Sequence, residues 1–140
     1  MIFEMRLKSE PFQKIASGEK TVELRLFDDK RRRLNIGDDI IFTNLSDDSE
    51  KLAVRITALY RYGSFEDLFA EISPARCGNL NGETIEEAAA GMRKYYSVEQ
   101  IHDYGVLGIK IELISLEEVL ERLEAMREAE FDRLFPDGMK

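Results

Sequence analysis

The sequence is short of the residues from which covalent staples and metal sites are built, with one cysteine, Cys77, and one histidine, His102, in 140 residues. A single thiol excludes an intramolecular disulfide, and a single imidazole excludes a His-rich metal cluster. No apolar run approaches the roughly 20 residues of a membrane-spanning helix, so no membrane partner is expected. The stretch Met1 to Lys8 alternates charged and apolar side chains instead of placing a basic segment before an apolar one. It therefore does not read as a secretory signal, and a reducing, cytoplasmic location is expected. Positive charge is in deficit as well: 20 Lys and Arg against 28 Asp and Glu leave a net charge of −8. That balance argues against a protein that coats nucleic acid through bulk charge.

The deficit is uneven. Residues 1–62 carry 12 basic and 11 acidic side chains, whereas residues 63–140 carry 8 and 17. An anion-handling site is thus expected in the first half. Apolar residues at 44% and charged residues at 34% describe a globular chain. Its length favours one domain that removes roughly two-thirds of the unfolded surface from water. There is no internal repeat, low-complexity tract or Gly/Ser linker.

Hydrophobic periodicity predicts strands near 2–7, 21–26, 39–44, 51–62 and 106–113, with Asn44 to Glu50 as a hairpin loop. Between the first two strands, Ser9 is placed to cap a helix containing Phe12 and Ile15, with Gly18 closing it. In the second half Ser64, Thr84, Ser97 and Ser115 each stand three residues before an acid or amide, the pattern of a helix start. The last of these helices carries Leu116, Val119, Leu120 and Leu123 on one side, for packing on the domain or on a second copy in a homodimer. The division that follows is a domain over residues 1–113 and a helical extension over 114–140.

In the second predicted strand Val22, Leu24 and Leu26 share one face and Thr21, Glu23 and Arg25 the other. Glu23 and Arg25 are therefore near enough to meet each other or one ligand, the guanidinium offering a planar fork to phosphate or carbonyl oxygens. Lys20 has the opposite parity and joins them only where a turn after Gly18 re-aims it. Two readings stay open on spacing alone: a surface ion pair worth about 0–1 kcal/mol, or a ligand cleft. The turn Lys30 to Arg33, containing Arg31, Arg32 and Arg33, can meet a phosphate backbone, and it can equally be a solvated turn among Asp28, Asp29, Asp38 and Asp39. Tyr60 and Tyr62 share a strand face and can stack on bases or pack a core; Tyr95 and Tyr96 carry the same ambiguity. Asp47-Asp48-x-Glu50 lacks the glycine of a calcium loop, and Cys77 becomes a catalytic thiol only if the fold delivers His102. No cofactor and no metal are expected.

The run Gly18-Glu19-Lys20-Thr21-Val22-Glu23-Leu24-Arg25 reads G-x-K-x-x-E-x-R and resembles the signature of the ASCH family, a branch of the PUA-like RNA-associated domains. Leu7-x-x-x-Pro11-Phe12-x-x-Ile15, the Gly37-Asp38 turn and Tyr104-Gly105-Val106-Leu107-Gly108-Ile109 follow in the family's order. The resemblance implies an α+β fold, a small mixed β-barrel flanked by helices, here with an added C-terminal amphipathic helix. It also implies a cleft around Lys20, Glu23 and Arg25 for RNA or a modified nucleoside, single-stranded or looped rather than duplex. Some small ASCH proteins hydrolyse the acetyl amide of acetylated cytidine with the signature lysine, a threonine three residues later and a distant glutamate. In this sequence the lysine matches Lys20, the threonine position is Glu23, and Glu83 is the best placement for the glutamate. A carboxylate beside a lysine favours the ammonium form, which is a poorer general base. Whether the protein is an enzyme thus stays open, and so does a protein-interaction role for the C-terminal helix.

Overall fold

The alternation of the first half becomes four strands. A computed structural model describes residues 1–79 and 82–137, beginning with β1 (Ile2–Leu7), α1 (Ser9–Ala16), β2 (Val22–Leu26), β3 (Asp39–Asn44) and β4 (Asp47–Tyr62). The second half, where the period changes, supplies α2 (Phe65–Glu71), α3 (Ile85–Gly91), α4 (Val98–Tyr104), β5 (Val106–Ile114) and α5 (Leu116–Leu134). Ser64, Thr84, Ser97 and Ser115 each accept a hydrogen bond from the backbone N–H three residues on, and Ser97 with Gln100 completes a reciprocal capping box. Ser9 behaves differently: it is the first helical residue, Lys8 takes the capping position, and no side chain caps that end. The expected loop 44–50 shrinks to a tight turn, since β4 already begins at Asp47 and Asn44 accepts the Ser46 N–H at 2.9 Å.

The five strands form one sheet in the order β1-β3-β4-β5-β2, parallel between β1 and β3 and antiparallel elsewhere. β4 is long enough to serve two neighbours, pairing with β3 up to Arg55 and with β5 from Ala53 to Tyr62, with a register shift between Ile56 and Ala58. Twist and that irregularity curl the sheet into a half-barrel. Its two edges, β1 and β2, come to face one another, and Arg25 Nη2 donates to the Arg6 carbonyl across the gap at 3.2 Å. The mixed α+β half-barrel with a C-terminal helix is the architecture expected from the sequence.

Three apolar clusters hold it. Inside the curl Ile40, Phe42, Val54, Ile56, Leu107 and Ile109 pack beneath Phe12 and Ile15 of α1. Outside, α2 and α3 lay Phe65, Leu68, Phe69 and Ala88 on Val22, Leu24, Leu26 and Val106. Gly108 permits that approach, because a Cβ there would stand 3.3 Å from Val22 and 3.4 Å from Leu68. On the back of β3 and β4, Val119 of α5 is fully buried against Ile41 and Ala53, with Leu116 and Leu123 beside it. Leu120, expected on the same stripe, is 41% exposed, because it follows fully buried Val119 by one residue and so turns about 100° away from it round the helix. Buried Asp39 clamps the same helix, accepting from Arg55 Nε at 2.9 Å and from Arg122 of α5. Val119→Ala removes two methyl-sized groups at about 0.8 kcal/mol each. A loss of about 1.6 kcal/mol in urea-unfolding free energy is expected, and an unchanged midpoint would show that α5 contributes no packing.

Candidate functional site

Lys20 lies in the turn between α1 and β2, outside the strand, and this is what frees it from the parity that separates it from Glu23. The helix ends with Ser17 and Gly18, whose φ of +85° suits glycine, and the Lys20 N–H then donates back to the Lys14 carbonyl at 3.0 Å. The Thr21 N–H is held by the Arg76 carbonyl at 2.9 Å. The aliphatic stem of Lys20 runs along Gly78, where φ is +100° and a Cβ would come within 3.2 Å of the Lys20 Cδ. Directed this way, Lys20 Nζ reaches Glu23 Oε1 at 2.8 Å.

Glu23 is the centre of a buried charge cluster. It is 3% exposed and Lys20 8%. Its Oε1 also accepts the Leu24 N–H at 3.0 Å, and its Oε2 accepts Arg25 Nη2 at 3.2 Å. Burial pushes the Glu23 carboxyl up; the charges of Lys20 and Arg25 and the hydrogen bonds from Lys20 and Leu24 outweigh it and hold the group below its ordinary value of 4.5. The Glu23–Arg25 pair is therefore not the surface ion pair that spacing alone left open. Glu23 and Arg25 pair with Ile109 and Leu107 of β5 and face the inside of the curl, so both faces of β2 are covered.

Lys20, Glu23 and Arg25 line one cavity of about 290 Å³, together with Leu7, Cys77, Met92, Tyr95 and Tyr96. Tyr96 is steadied by stacking on Phe65, centroids 6.2 Å apart and planes 14° apart, and Lys8 Nζ lies 5.3 Å from the Tyr95 ring centre. Burial pushes the Cys77 thiol up to about 12, against the opposing charges of Lys20 and Arg76, which leaves it a packing group and not a nucleophile. His102 stays exposed on α4 beside Asp103.

Arg6 and Arg25 also line a second depression of about 620 Å³, whose other charged walls are Lys30, Arg31, Arg33, Lys51 and one carboxylate, Glu4. Arg31 is tied to Asp28 at 3.1 Å, and its Nε is buried with no hydrogen-bond partner among the described residues. Arg32 leaves this groove, its guanidinium lying 4.6 Å from the Phe27 ring centre. Tyr60 and Tyr62 do not reach the cavity either: they pack with the helices on the outer face of the sheet. Glu83 is exposed just before the Thr84 cap of α3 and is not among the residues lining the cavity. The acid facing Lys20 is Glu23. The aromatic side chains that line the cavity are Tyr95 and Tyr96, not Tyr60 and Tyr62. Arg6 and Lys14 reach the cavity wall with no signal in the sequence beyond their place beside the first strand and helix.

The open edge of the half-barrel thus holds a K-x-x-E-x-R cluster of buried charges. The family model of the ASCH domain matches residues 5–115, and the chain belongs to the ASCH domain family. Among solved structures, the crystal structure of the hypothetical protein PH0355 is 34% identical and superimposes with a TM-score of 0.73, covering 81% of this chain and 100% of that one. The solution structure of protein PF0455 from Pyrococcus furiosus is also 34% identical, with a TM-score of 0.63, and covers 82% and 99%. No curated protein matches the chain.

Proposed function

We propose that the protein binds single-stranded or looped RNA, holding one nucleotide in the cavity and its flanking phosphates in the basic groove. The observation that carries this reading is the sharing of one cavity by Lys20, Glu23 and Arg25, with Arg25 and Arg6 opening it onto Lys30, Arg31 and Arg33. Both Glu23 oxygens are already occupied by protein donors. What remains for a ligand are the spare N–H groups of Lys20 and Arg25, and these suit base carbonyls or phosphate oxygens. The cavity sits at the small end of ligand sites, which run to roughly 300–1,000 Å³. A groove with six cations and one carboxylate supplies local attraction in a chain whose net charge is −8.

Titration of a fluorescent single-stranded RNA hexamer at several salt concentrations tests it. Each phosphate contact contributes a slope of about −0.7 in log K against log salt for single strands. Arg33→Ala, at an exposed position, is expected to weaken binding and flatten the slope by about that amount. An unchanged slope and affinity would remove the groove from the reading.

Hydrolysis of acetylated cytidine is the competing use of the site. It requires an unprotonated Lys20 and an acid at Glu83, yet Lys20 faces a carboxylate at 2.8 Å and Glu83 is exposed away from the cavity. These observations favour binding. No cytidine is expected on incubation with acetylcytidine; its release, abolished by Lys20→Ala, would replace binding with catalysis. We infer further that 114–140 is an appendage to a 1–113 domain and serves self-association. Leu120, Met126, Phe131 and Leu134 of α5 are between 40% and 56% exposed. Light scattering is expected to give a dimer mass that Phe131→Glu reduces to a monomer.

A further inference from the structure

Beyond the cavity, a second concave surface lies where β2 ends, drawing Phe27 from the inner side of the sheet and Tyr62 from its outer side. Phe27 prolongs the strand, its N–H donating to the Gly105 carbonyl at 3.0 Å, and its ring packs on the same inner cluster that Glu23 and Arg25 face. The Arg61 guanidinium carbon lies 3.8 Å from the centre of that ring and Arg32's 4.6 Å. Arg61 is exposed and has no carboxylate partner among the described residues, so its charge is spent on the aromatic ring alone. Around it lies a surface pocket of about 400 Å³ lined by Phe27, Arg61, Tyr62, Gly63, Tyr104 and Gly105, none of them acidic. Tyr104 is 43% exposed, and the two glycines leave bare backbone where side chains would otherwise stand. A planar cation backed by an aromatic ring, beside an exposed tyrosine, is a surface on which a nucleobase stacks. It suits a base better than a phosphate alone, because the guanidinium and the tyrosine ring offer flat faces for stacking.

We propose that Phe27, Arg61 and Tyr104 form a second nucleobase subsite, next along β2 from the cavity, so that the natural ligand is a single-stranded oligonucleotide and not a free nucleoside. Arg25 and Phe27 are two residues apart on one strand face, a rise of roughly 7 Å. That separation is on the scale of one step of an extended nucleotide chain, and Lys30 to Arg33 stand beside the step to take the phosphate between the two bases. The inference rests on the cavity reading given above and adds the length of the ligand to it.

Calorimetric titration of the four nucleoside 5′-monophosphates and of a mixed-sequence single-stranded RNA hexamer separates the two. The hexamer is expected to bind at least about tenfold tighter than the best monophosphate. Arg61→Ala combined with Tyr104→Ala, both at exposed positions, is expected to remove most of that advantage while leaving monophosphate binding unchanged. Arg61→Lys retains charge without the planar face and is expected to restore little of it. Equal affinity of the wild type for both probes overturns the subsite while leaving the cavity reading in place. A hexamer advantage that survives the double substitution also overturns it, and full rescue by Arg61→Lys assigns the contact to charge and overturns stacking. Failure of the wild type to bind either probe overturns the cavity reading and the subsite together.

Discussion

Glu23→Leu is expected to destabilise the protein by about 3–5 kcal/mol, because it strands two cations in a space from which water is largely excluded. Glu23 is 3% exposed, and its removal leaves the 8% exposed Lys20 without a countercharge. Adding Lys20→Met to Glu23→Leu should return most of the stability, since replacing a whole buried pair with apolar groups is often neutral or favourable. The double variant is nevertheless expected to lose ligand binding. Urea unfolding of the wild type, both single variants and the double variant measures the coupling. A Glu23→Leu variant as stable as the wild type would show that the cluster is hydrated and of little consequence. The pH dependence has a definite sign. The Glu23 carboxyl titrates below its ordinary value of 4.5 in the folded state, so its contribution is complete above that value and is lost as the pH falls through the folded one. Stability of the wild type should therefore fall more steeply in acid than that of the double variant.

Arg25→Ala is expected to weaken RNA binding by about ten- to a hundredfold, the worth of one charge-assisted hydrogen bond at roughly 1.5–3 kcal/mol. Arg25 is the wall between the cavity and the basic groove, and the only donor the two share besides Arg6 among the residues that line them. Its cost in stability should be smaller, about 0.5–1.5 kcal/mol. Glu23 keeps Lys20 and the Leu24 N–H as partners, while the link to the Arg6 carbonyl is lost. Arg25→Lys keeps the charge but not the fork, and an intermediate affinity is expected. Fluorescence anisotropy with the hexamer, at one fixed salt concentration, reads all three proteins. An Arg25→Ala affinity within about twofold of the wild type would remove Arg25 from the site and with it the reason to join cavity and groove.

The candidate site was legible in the sequence as a spacing and not as an environment. Glu23 and Arg25 share a face by strand periodicity alone, and they do so in the fold. Their burial was not legible, because the residues that cover them come from β1 and from the 77–79 and 92–96 stretches, distant in the chain. Tyr60 and Tyr62 share a face as well, but which face of β4 meets the helices depends on its pairing with β5 across a shifted register. That shift lies at Ile56 to Ala58, a place with no glycine or proline to announce it.

By itself the sequence determined the local elements, since hydroxyl caps, the change from period two to period 3.6 and the glycine after α1 act over a few residues. It determined the shared face of Glu23 and Arg25 for the same reason. Tertiary structure alone decided that β1 and β2 become opposite edges of one curled sheet, that Lys20 turns onto Glu23, and that Arg32 parts from Arg31 and Arg33. Those outcomes follow from non-local strand pairing and from which surfaces the helices cover, and contacts between distant segments leave no period in the chain.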